Sequence, residues 1–220
     1  MGASRRVSVK DGGNSALTNE SEDIAPRFFA GLSNTALMAQ HLPMLMTCGV
    51  GDIGLTVHSH FLSLLVTVGQ NLGFAAVADC PVLWAPESIR PGDVRADSIW
   101  FDPRSCEAVV AAEFERFERG DETKLQWKIQ NLAIASTALR TLRLVVLIYW
   151  VRSGSTPRSM DSVVATYRDG FRRNGLDVPP ATCPLMIVKC VMRDGPVANR
   201  LLFGEFLRDL RNEALALRRY

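Results

Sequence analysis

The sequence predicts an α/β domain in which helices flank a mixed central β-sheet. Strand-like segments, short and rich in apolar or β-branched residues, follow one another at residues 74–80, 95–101 and 108–116, which indicates a meander. Segments with helical periodicity then alternate with further strand-like segments at residues 143–151 and 185–192. Such alternation is typical of parallel strands joined by helical crossovers. Together these segments predict a sheet that contains both antiparallel and parallel strand pairs.

The composition supports one folded domain but does not indicate a function. The chain has 220 residues, of which 47% are hydrophobic and 22% are charged, with a formal net charge of +2. This hydrophobic fraction is enough to form a buried core. The small net charge argues against a uniformly basic nucleic-acid-binding domain but is compatible with a local basic face. We expect residues 1–24 to form a flexible N-terminal tail and residues 25–220 to form a single α/β domain.

The cysteines and the apolar segments indicate the cellular compartment of the protein. There are five cysteines, an odd number, and they include no CxxC pair, so neither a disulfide framework nor a zinc knuckle is predicted. Reduced thiols and the lack of a signal-peptide pattern predict a cytoplasmic protein. The longest apolar run, residues 144–151, is far too short to span a membrane and predicts a strand that is covered on both faces.

The helical segments are placed by periodicity and by breakers. Residues 26–48 are apolar but interrupted by Gly31 and Pro43, which predicts one or two short helices. Apolar residues spaced by three and four predict longer helices at residues 55–72 and 122–140. Two further helices are expected at residues 160–174, closed by Asn174 and Gly175, and at residues 198–217.

Three acidic residues form the candidate functional site. Asp97 lies in the second predicted strand, and Glu113 and Glu115 lie at the end of the third. Residues two apart on a strand point to the same face, so Glu113 and Glu115 share a face while Phe114 points away. If the two strands form a hairpin, Asp97 can lie beside Glu113. Carboxylates that converge at the end of a sheet can bind a hard divalent cation, although solvated charges at strand ends are an alternative interpretation.

The stretch from about residue 55 to residue 151 resembles the core of the PD-(D/E)xK nuclease superfamily. Its order of elements is helix, strand, strand with Asp, strand with Glu, helix and strand. The sequence RADSIW at residues 95–100 is similar to the Arg-x-Asp-x-x-Trp form of many members, which places Asp97 as the first metal-binding acid. Glu113 matches the acidic residue of the (D/E)xK pair, whereas Glu115 replaces the family's lysine.

The resemblance implies a restriction-endonuclease-like fold and metal-assisted hydrolysis of phosphodiester bonds. It implies that Asp97 and Glu113 hold Mg²⁺ or Mn²⁺, with the carbonyl of Phe114 as a further ligand. Some branches recruit a lysine from the following helix, and Lys124 and Lys128 are candidates because residues four apart share a helix face. The catalytic candidates are therefore Asp97, Glu113, Glu115, Lys124 and Lys128. The resemblance implies nucleic acid as the partner, with DNA as the first candidate.

A second function stays open because the in-strand lysine is missing. The same fold can serve as a catalytically inactive nucleic-acid-binding or protein-interaction module, acting as a homodimer or with a partner chain. Lys124 and Lys128 then belong to a solvated helix face. Bacterial mobile elements and defence systems are frequent homes of the superfamily, and this context is an expectation by analogy.

Several other side chains have two interpretations. His58 either faces the acidic site or is an ordinary polar residue near the start of a helix. Trp127, like Trp100 and Trp150, either packs in the core or stacks on a base. The helix predicted at residues 160–174 carries Arg168, Arg172 and Arg173, which form either a phosphate-contacting patch or a solvated face.

Overall fold

The computed structural model describes residues 23–83, 94–120, 122–152 and 156–217. It is an α/β structure with a mixed seven-stranded sheet and helices on both faces, so the predicted fold class is confirmed. The N-terminal tail predicted at residues 1–24 lies almost wholly outside the described residues. Within the described parts of the chain, no helix has the length and apolarity needed to cross a membrane.

The N-terminal part contributes four helices and a two-residue strand. These are α1 (Ile24–Leu32), α2 (Thr35–His41), α3 (Pro43–Met46), β1 (Val50–Gly51) and α4 (Gly54–Asn71). Where one or two short helices are predicted, there are three. The extra boundary arises because Pro43 cannot continue a helix but suits the first position of the next one.

The centre of the chain forms the predicted meander and crossover. Strands β2 (Ala75–Pro81), β3 (Arg95–Phe101) and β4 (Ala108–Arg116) pair antiparallel in sequence order. Helix α5 (Glu122–Ala138) then connects β4 to the parallel strand β5 (Leu144–Arg152). β5 is buried along almost its whole length, as its apolar sequence predicts.

Two sequence predictions in the C-terminal part are wrong. The elements here are α6 (Asp161–Asp169), β6 (Phe171–Arg173), β7 (Leu176–Val178), β8 (Leu185–Asp194), β9 (Arg200–Arg208) and α7 (Leu210–Leu217). The helix predicted at residues 160–174 ends at Asp169, because Gly170 has a φ of 81°. Asn174 and Gly175, with φ of 52° and 82°, form the turn of the β6–β7 hairpin instead of a helix end.

The helix predicted at residues 198–217 is likewise a strand followed by a helix. β9 pairs antiparallel with β8 and extends the sheet beyond it. The apolar residues of this segment fit either period, and the pairing with β8 is a contact that local sequence does not reveal. A register shift between Val191 and Met192 bends the pair near Gly204, where an added Cβ would lie 2.7 Å from the Val191 carbonyl oxygen.

The sheet separates two apolar layers. The strand order is β1-β9-β8-β5-β4-β3-β2. Helices α1–α4 cover one face, where Phe114, Trp100 and Trp150 are buried, and α5, α6 and α7 cover the other. Phe114 stacks on Phe61 of α4 with ring centroids 4.4 Å apart. Because side chains alternate along β4, Glu113 must point toward the α5 face.

Candidate active site

The ladder between β3 and β4 ends at the candidate acidic residues. It runs from the Phe101–Ala108 pair to the Ser98–Ala112 pair. The next residues along the two strands are Asp97 and Glu113. Here the backbone N–H of Phe114 donates to Asp97 Oδ2 at 2.7 Å. The side chain of Asp97, on β3, thus provides the acceptor for a backbone N–H of β4 at the point where the ladder stops.

One lysine joins the two carboxylates. Lys128 Nζ, on α5, donates to Asp97 Oδ2 at 2.9 Å and to Glu113 Oε2 at 2.6 Å. Glu113 is fully buried, Asp97 is 9% exposed, and the Lys128 side chain is 18% exposed. Both carboxyl groups therefore lie on the same side of the sheet, within reach of a single cation. Buried charges need such a partner, and the interpretation as solvated strand-end charges does not fit Glu113.

Asp97 is also contacted from the opposite helix layer. His58 Nε2, on α4, lies 3.4 Å from Asp97 Oδ1, and the imidazole is tilted against the ring of Phe114 at 6.1 Å. The carboxylate of Asp97 is thus held by α4, α5 and the β4 backbone together. Of the two interpretations of His58, the structure places it beside the acidic site.

Glu113 has a second partner on α5. Asn131 Nδ2 donates to Glu113 Oε1 at 3.1 Å and lies 3.3 Å from the carbonyl oxygen of Arg95. Asn131 Oδ1 in turn accepts a hydrogen bond of 2.8 Å from Nη1 of Arg173, in the β6–β7 hairpin. Lys128 and Asn131 are three residues apart on α5, so one face of this helix holds both oxygens of the glutamate.

Electrostatics separates the two carboxylates. Complete burial and the neighbouring Asp97 carboxylate raise the pKa of Glu113 well above its usual range, against the opposing effect of Lys128. Burial also acts to raise the pKa of Asp97, but hydrogen bonds with His58 and Glu113 and the charge of Lys128 outweigh it, so the pKa is lowered. Burial disfavours the charged form of Lys128, yet the two carboxylates raise its pKa. Asp97 is therefore the carboxylate that stays ionised, and Glu113 takes up a proton first.

We expect the free energy of unfolding to fall as the pH rises above about 4.3, the ordinary pKa of glutamate. A raised pKa in the folded state means that the native protein keeps a proton which the unfolded chain releases. The stabilisation is complete below about pH 4.3 and is lost as the pH rises through the folded pKa of Glu113, at roughly 1.4 kcal/mol per pH unit. Urea denaturation at pH 4.5 to 8 measures this slope.

Glu113→Gln should flatten that slope, because glutamine does not titrate. Asp97, whose pKa is lowered, acts in a different window: its contribution is present above about pH 3.9 and is lost as the pH falls through its folded pKa. Glu115→Gln is the matched control for the loss of a carboxylate on the same strand face. Equal slopes for wild type and Glu113→Gln would contradict the assignment.

The structure does not join the other two candidate residues to this group. The Glu115 carboxylate accepts a hydrogen bond of 2.9 Å from the backbone N–H of Arg116, its neighbour in sequence. Lys124 lies one turn before Lys128 on α5, with an exposed side chain. The catalytic roles of both stay predictions, whereas Asp97, Glu113 and Lys128 are in direct contact.

Sequence reasoning missed Asn131 and misplaced Arg173. Of the two interpretations of Trp127, packing in the core does not fit, because its side chain is 53% exposed, in contrast to the buried Trp100 and Trp150. Arg173 lies on β6 instead of a helix. The spacing of Asn131 three residues after Lys128 was a signal for its place on the same helix face, but the contact with Glu113 depends on how α5 packs on β4.

The donor atoms suit one mode of metal binding. Carboxylate oxygens are the ligands preferred by Mg²⁺, which is usually held by one or two protein carboxylates with water and substrate phosphates completing its coordination. Across the parts of the chain that the structure describes, no group of three or more His, Cys, Asp or Glu side chains is arranged to hold a metal ion. Asp97 and Glu113 thus supply two carboxylates, which is within the number that Mg²⁺ usually takes from a protein.

Comparison of the chain with known protein families, with curated proteins and with solved structures finds no significant match. What the fold and the site define is a class of architecture: a mixed α/β sheet between two helical layers, with a carboxylate–lysine–carboxylate group where β3 and β4 stop pairing. The likeness to PD-(D/E)xK nucleases stays a prediction from the sequence.

Proposed function

We propose that this protein is a divalent-metal-dependent nuclease of the PD-(D/E)xK type. The observation that supports the proposal is the shared contact of Asp97 and Glu113 with Lys128. Two acids from neighbouring strands and a lysine from the following helix form one group in a partly buried position. This is the set of charges that phosphoryl transfer needs, because its catalysis rests on positioning and on stabilising negative charge.

Each residue has a definite part in this proposal. Asp97 and Glu113 would hold Mg²⁺ or Mn²⁺, which polarises a phosphoryl oxygen and lowers the pKa of a bound water. Lys128 would neutralise charge on the phosphate and orient the attacking water. His58 and Asn131 act as positioning residues, since they hold Asp97 and Glu113 by their second oxygens.

In this proposal Lys128 would take the place of the lysine that the family pattern has two residues after the second acid. The residue two after the second acid is Glu115 instead of lysine, and Lys128 reaches both carboxylates from α5. The substrate would be nucleic acid, DNA in the first place. A cytoplasmic location would give access to such substrates and suits the free cysteines of the described residues.

One observation favours a second function, that of an inactive binding module. Lys128 already contacts both buried carboxylates, so each of them has a charged partner without a metal ion. Such a fold would bind nucleic acid or a partner protein, as a homodimer or with another chain, and would not cleave. The two functions differ in their response to divalent cations.

Calorimetric titration with Mn²⁺, followed by cleavage assays in Mg²⁺ and in Mn²⁺ on single- and double-stranded DNA and RNA, tests the proposal. We expect binding in the micromolar range and cleavage in the wild type, and the loss of both in Asp97→Asn. Asparagine keeps the size of the side chain and removes the charge that binds the metal. Glu107→Gln, in the exposed turn before β4, is the matched control and should behave as wild type.

Cleavage that needs no divalent cation, or that persists in Asp97→Asn, would contradict the proposed site. No Mn²⁺ binding together with no cleavage of any of the four substrates would favour the binding module. Circular dichroism of Asp97→Asn checks that the fold is retained, so that loss of activity can be attributed to the lost carboxylate.

A further inference from the structure

A stripe of polar and aromatic residues runs along α5 beside the carboxylates. Its members are Lys124, Trp127, Lys128 and Asn131, spaced at i, i+3, i+4 and i+7, which places them on one face of the helix. Lys128 and Asn131 bind Asp97 and Glu113, so the stripe leads away from the site along the helix. Trp127 is the aromatic member and the residue next to Lys128.

Trp127 is half exposed and is covered on one side by an arginine. The guanidinium of Arg173 lies 4.9 Å from the centroid of the indole ring. The exposed fraction of Trp127, 53%, is large for this residue type, which is usually well buried. An indole held in place by an arginine and open to solvent is a preformed surface for stacking another planar group.

The hairpin that carries Arg173 is fixed relative to the site. Arg173 Nη1 donates to Asn131 Oδ1, and Asn131 donates to Glu113. The hairpin starts at Gly170, where a φ of 81° and a distance of 2.5 Å from an added Cβ to the Val178 carbonyl oxygen leave no room for a side chain. The distance between the platform and the carboxylates is therefore set by the fold rather than by a mobile loop.

We propose that Trp127 and Arg173 form a platform for single-stranded nucleic acid, with a base stacked on the indole and a backbone phosphate contacted by the guanidinium. This deepens the proposed function and rests on it, because the platform would deliver the strand to Asp97 and Glu113. Stacking on an aromatic side chain together with contacts from arginine is the general chemistry of single-strand binding. Lys124, three residues before Trp127, adds positive charge along the same path.

A single strand fits this surface better than a duplex. The bases of a duplex are stacked on one another, so their faces are not available to an exposed indole, whereas every base of a single strand presents one. The charge next to the indole belongs to Arg173, whose guanidinium can contact a backbone phosphate beside the stacked base.

Fluorescence anisotropy with a labelled single-stranded oligonucleotide tests the platform. The full chain is titrated in EDTA, so that binding is measured without cleavage. We expect Trp127→Ala to weaken binding roughly 5- to 150-fold, the range that corresponds to one lost base stack. Trp127→Phe keeps an aromatic face and should retain most of the affinity. Leu55→Ala, an exposed apolar residue on α4, is the matched control and should bind as wild type.

Salt dependence separates a phosphate contact from a structural role of Arg173. Each neutralised phosphate of a single strand contributes about 0.7 to the slope of log affinity against log salt concentration. Arg173→Ala should lower the slope by about this amount, and Arg173→Lys should keep it because the charge remains. Arg104→Ala, in the exposed turn after β3, is the control and should leave the slope unchanged.

The outcomes distinguish the platform from the nuclease activity. Wild-type affinity in Trp127→Ala, or a slope unaffected by Arg173→Ala, would overturn the platform even if metal-dependent cleavage is observed. Equal losses for single- and double-stranded probes would overturn the choice of a single strand. Absence of cleavage with the expected binding losses would leave the platform standing and refute the nuclease, and absence of binding by the wild type would overturn the platform.

Discussion

Lys128→Met should lower the free energy of unfolding by about 3 kcal/mol at neutral pH in the absence of divalent cations. Methionine keeps the length of the side chain but leaves Asp97 and Glu113 without their shared cation. When one partner of a buried ionic group is removed, nothing offsets the cost of burying the remaining charges. We expect the lower end of the usual 3–5 kcal/mol range because Glu113, whose pKa is raised, can take up a proton in the variant.

Urea denaturation of a double-mutant cycle measures this effect. Adding Glu113→Gln to Lys128→Met should recover part of the lost stability, because glutamine is neutral and needs no proton uptake at neutral pH. Lys189→Met is the matched control: Lys189 donates to the hydroxyl of Thr156 on the surface, and its loss should cost at most about 1 kcal/mol. Equal destabilisation by the two lysine variants would show that the contact of Lys128 with the acids contributes no more stability than the surface hydrogen bond of Lys189.

The same substitution should separate metal binding from cleavage. We expect Lys128→Met to bind Mn²⁺ at least about tenfold more tightly than the wild type, since a competing positive charge has been removed from between the carboxylates. Two unit charges 4 Å apart near a protein surface interact by roughly 4 kcal/mol, and tenfold requires about 1.4 kcal/mol of this. Cleavage should be at least about 100-fold slower, as is usual when one charge-stabilising donor is lost from a site.

Calorimetry measures the affinity for Mn²⁺, and single-turnover assays at saturating Mn²⁺ measure the rate of cleavage. Lys189→Met is the control for both. Saturating metal should also restore stability to Lys128→Met, because the divalent cation replaces the ammonium as partner of the acids. Unchanged cleavage in Lys128→Met would restrict Lys128 to a structural role. A parallel loss of Mn²⁺ affinity and cleavage would contradict competition between the ammonium and the metal.

The positions of the acidic residues on the strands could be predicted from the local sequence. The apolar and β-branched content of the two segments set the bounds of β3 and β4 correctly, and two-residue periodicity put Glu113 and Glu115 on one face. The turn between the two strands made a hairpin the natural connection, which brings Asp97 next to Glu113. These inferences depend on contacts between residues that are near in sequence.

The choice between Lys124 and Lys128 was not open to prediction in the same way. Both lie on one face of α5, and only the packing of the helix on β3 and β4 determines which turn is level with the carboxylates. The same holds for Asn131 and His58, which reach Glu113 and Asp97 from opposite helical layers. Helical periodicity defines a face but not its height above the sheet.

The C-terminal errors have a related cause. Residues 200–208 form a strand because β8 offers a free edge for pairing, and that edge exists only once the sheet has assembled. Asn174 and Gly175 were a visible hairpin signal that was interpreted as a helix end. That interpretation placed Arg173 on a helix, away from Trp127.

The sequence by itself determined the class of fold, the meander and crossover that form the centre of the sheet, and the two acids at its interrupted ladder. Their physical basis is periodicity and turn chemistry, which act over a few residues. Only the tertiary structure decided that Lys128 binds both acids, that β9 extends the sheet, and that Arg173 covers Trp127. Each of these contacts joins residues far apart in the chain, and its geometry follows from how whole helices and strands pack.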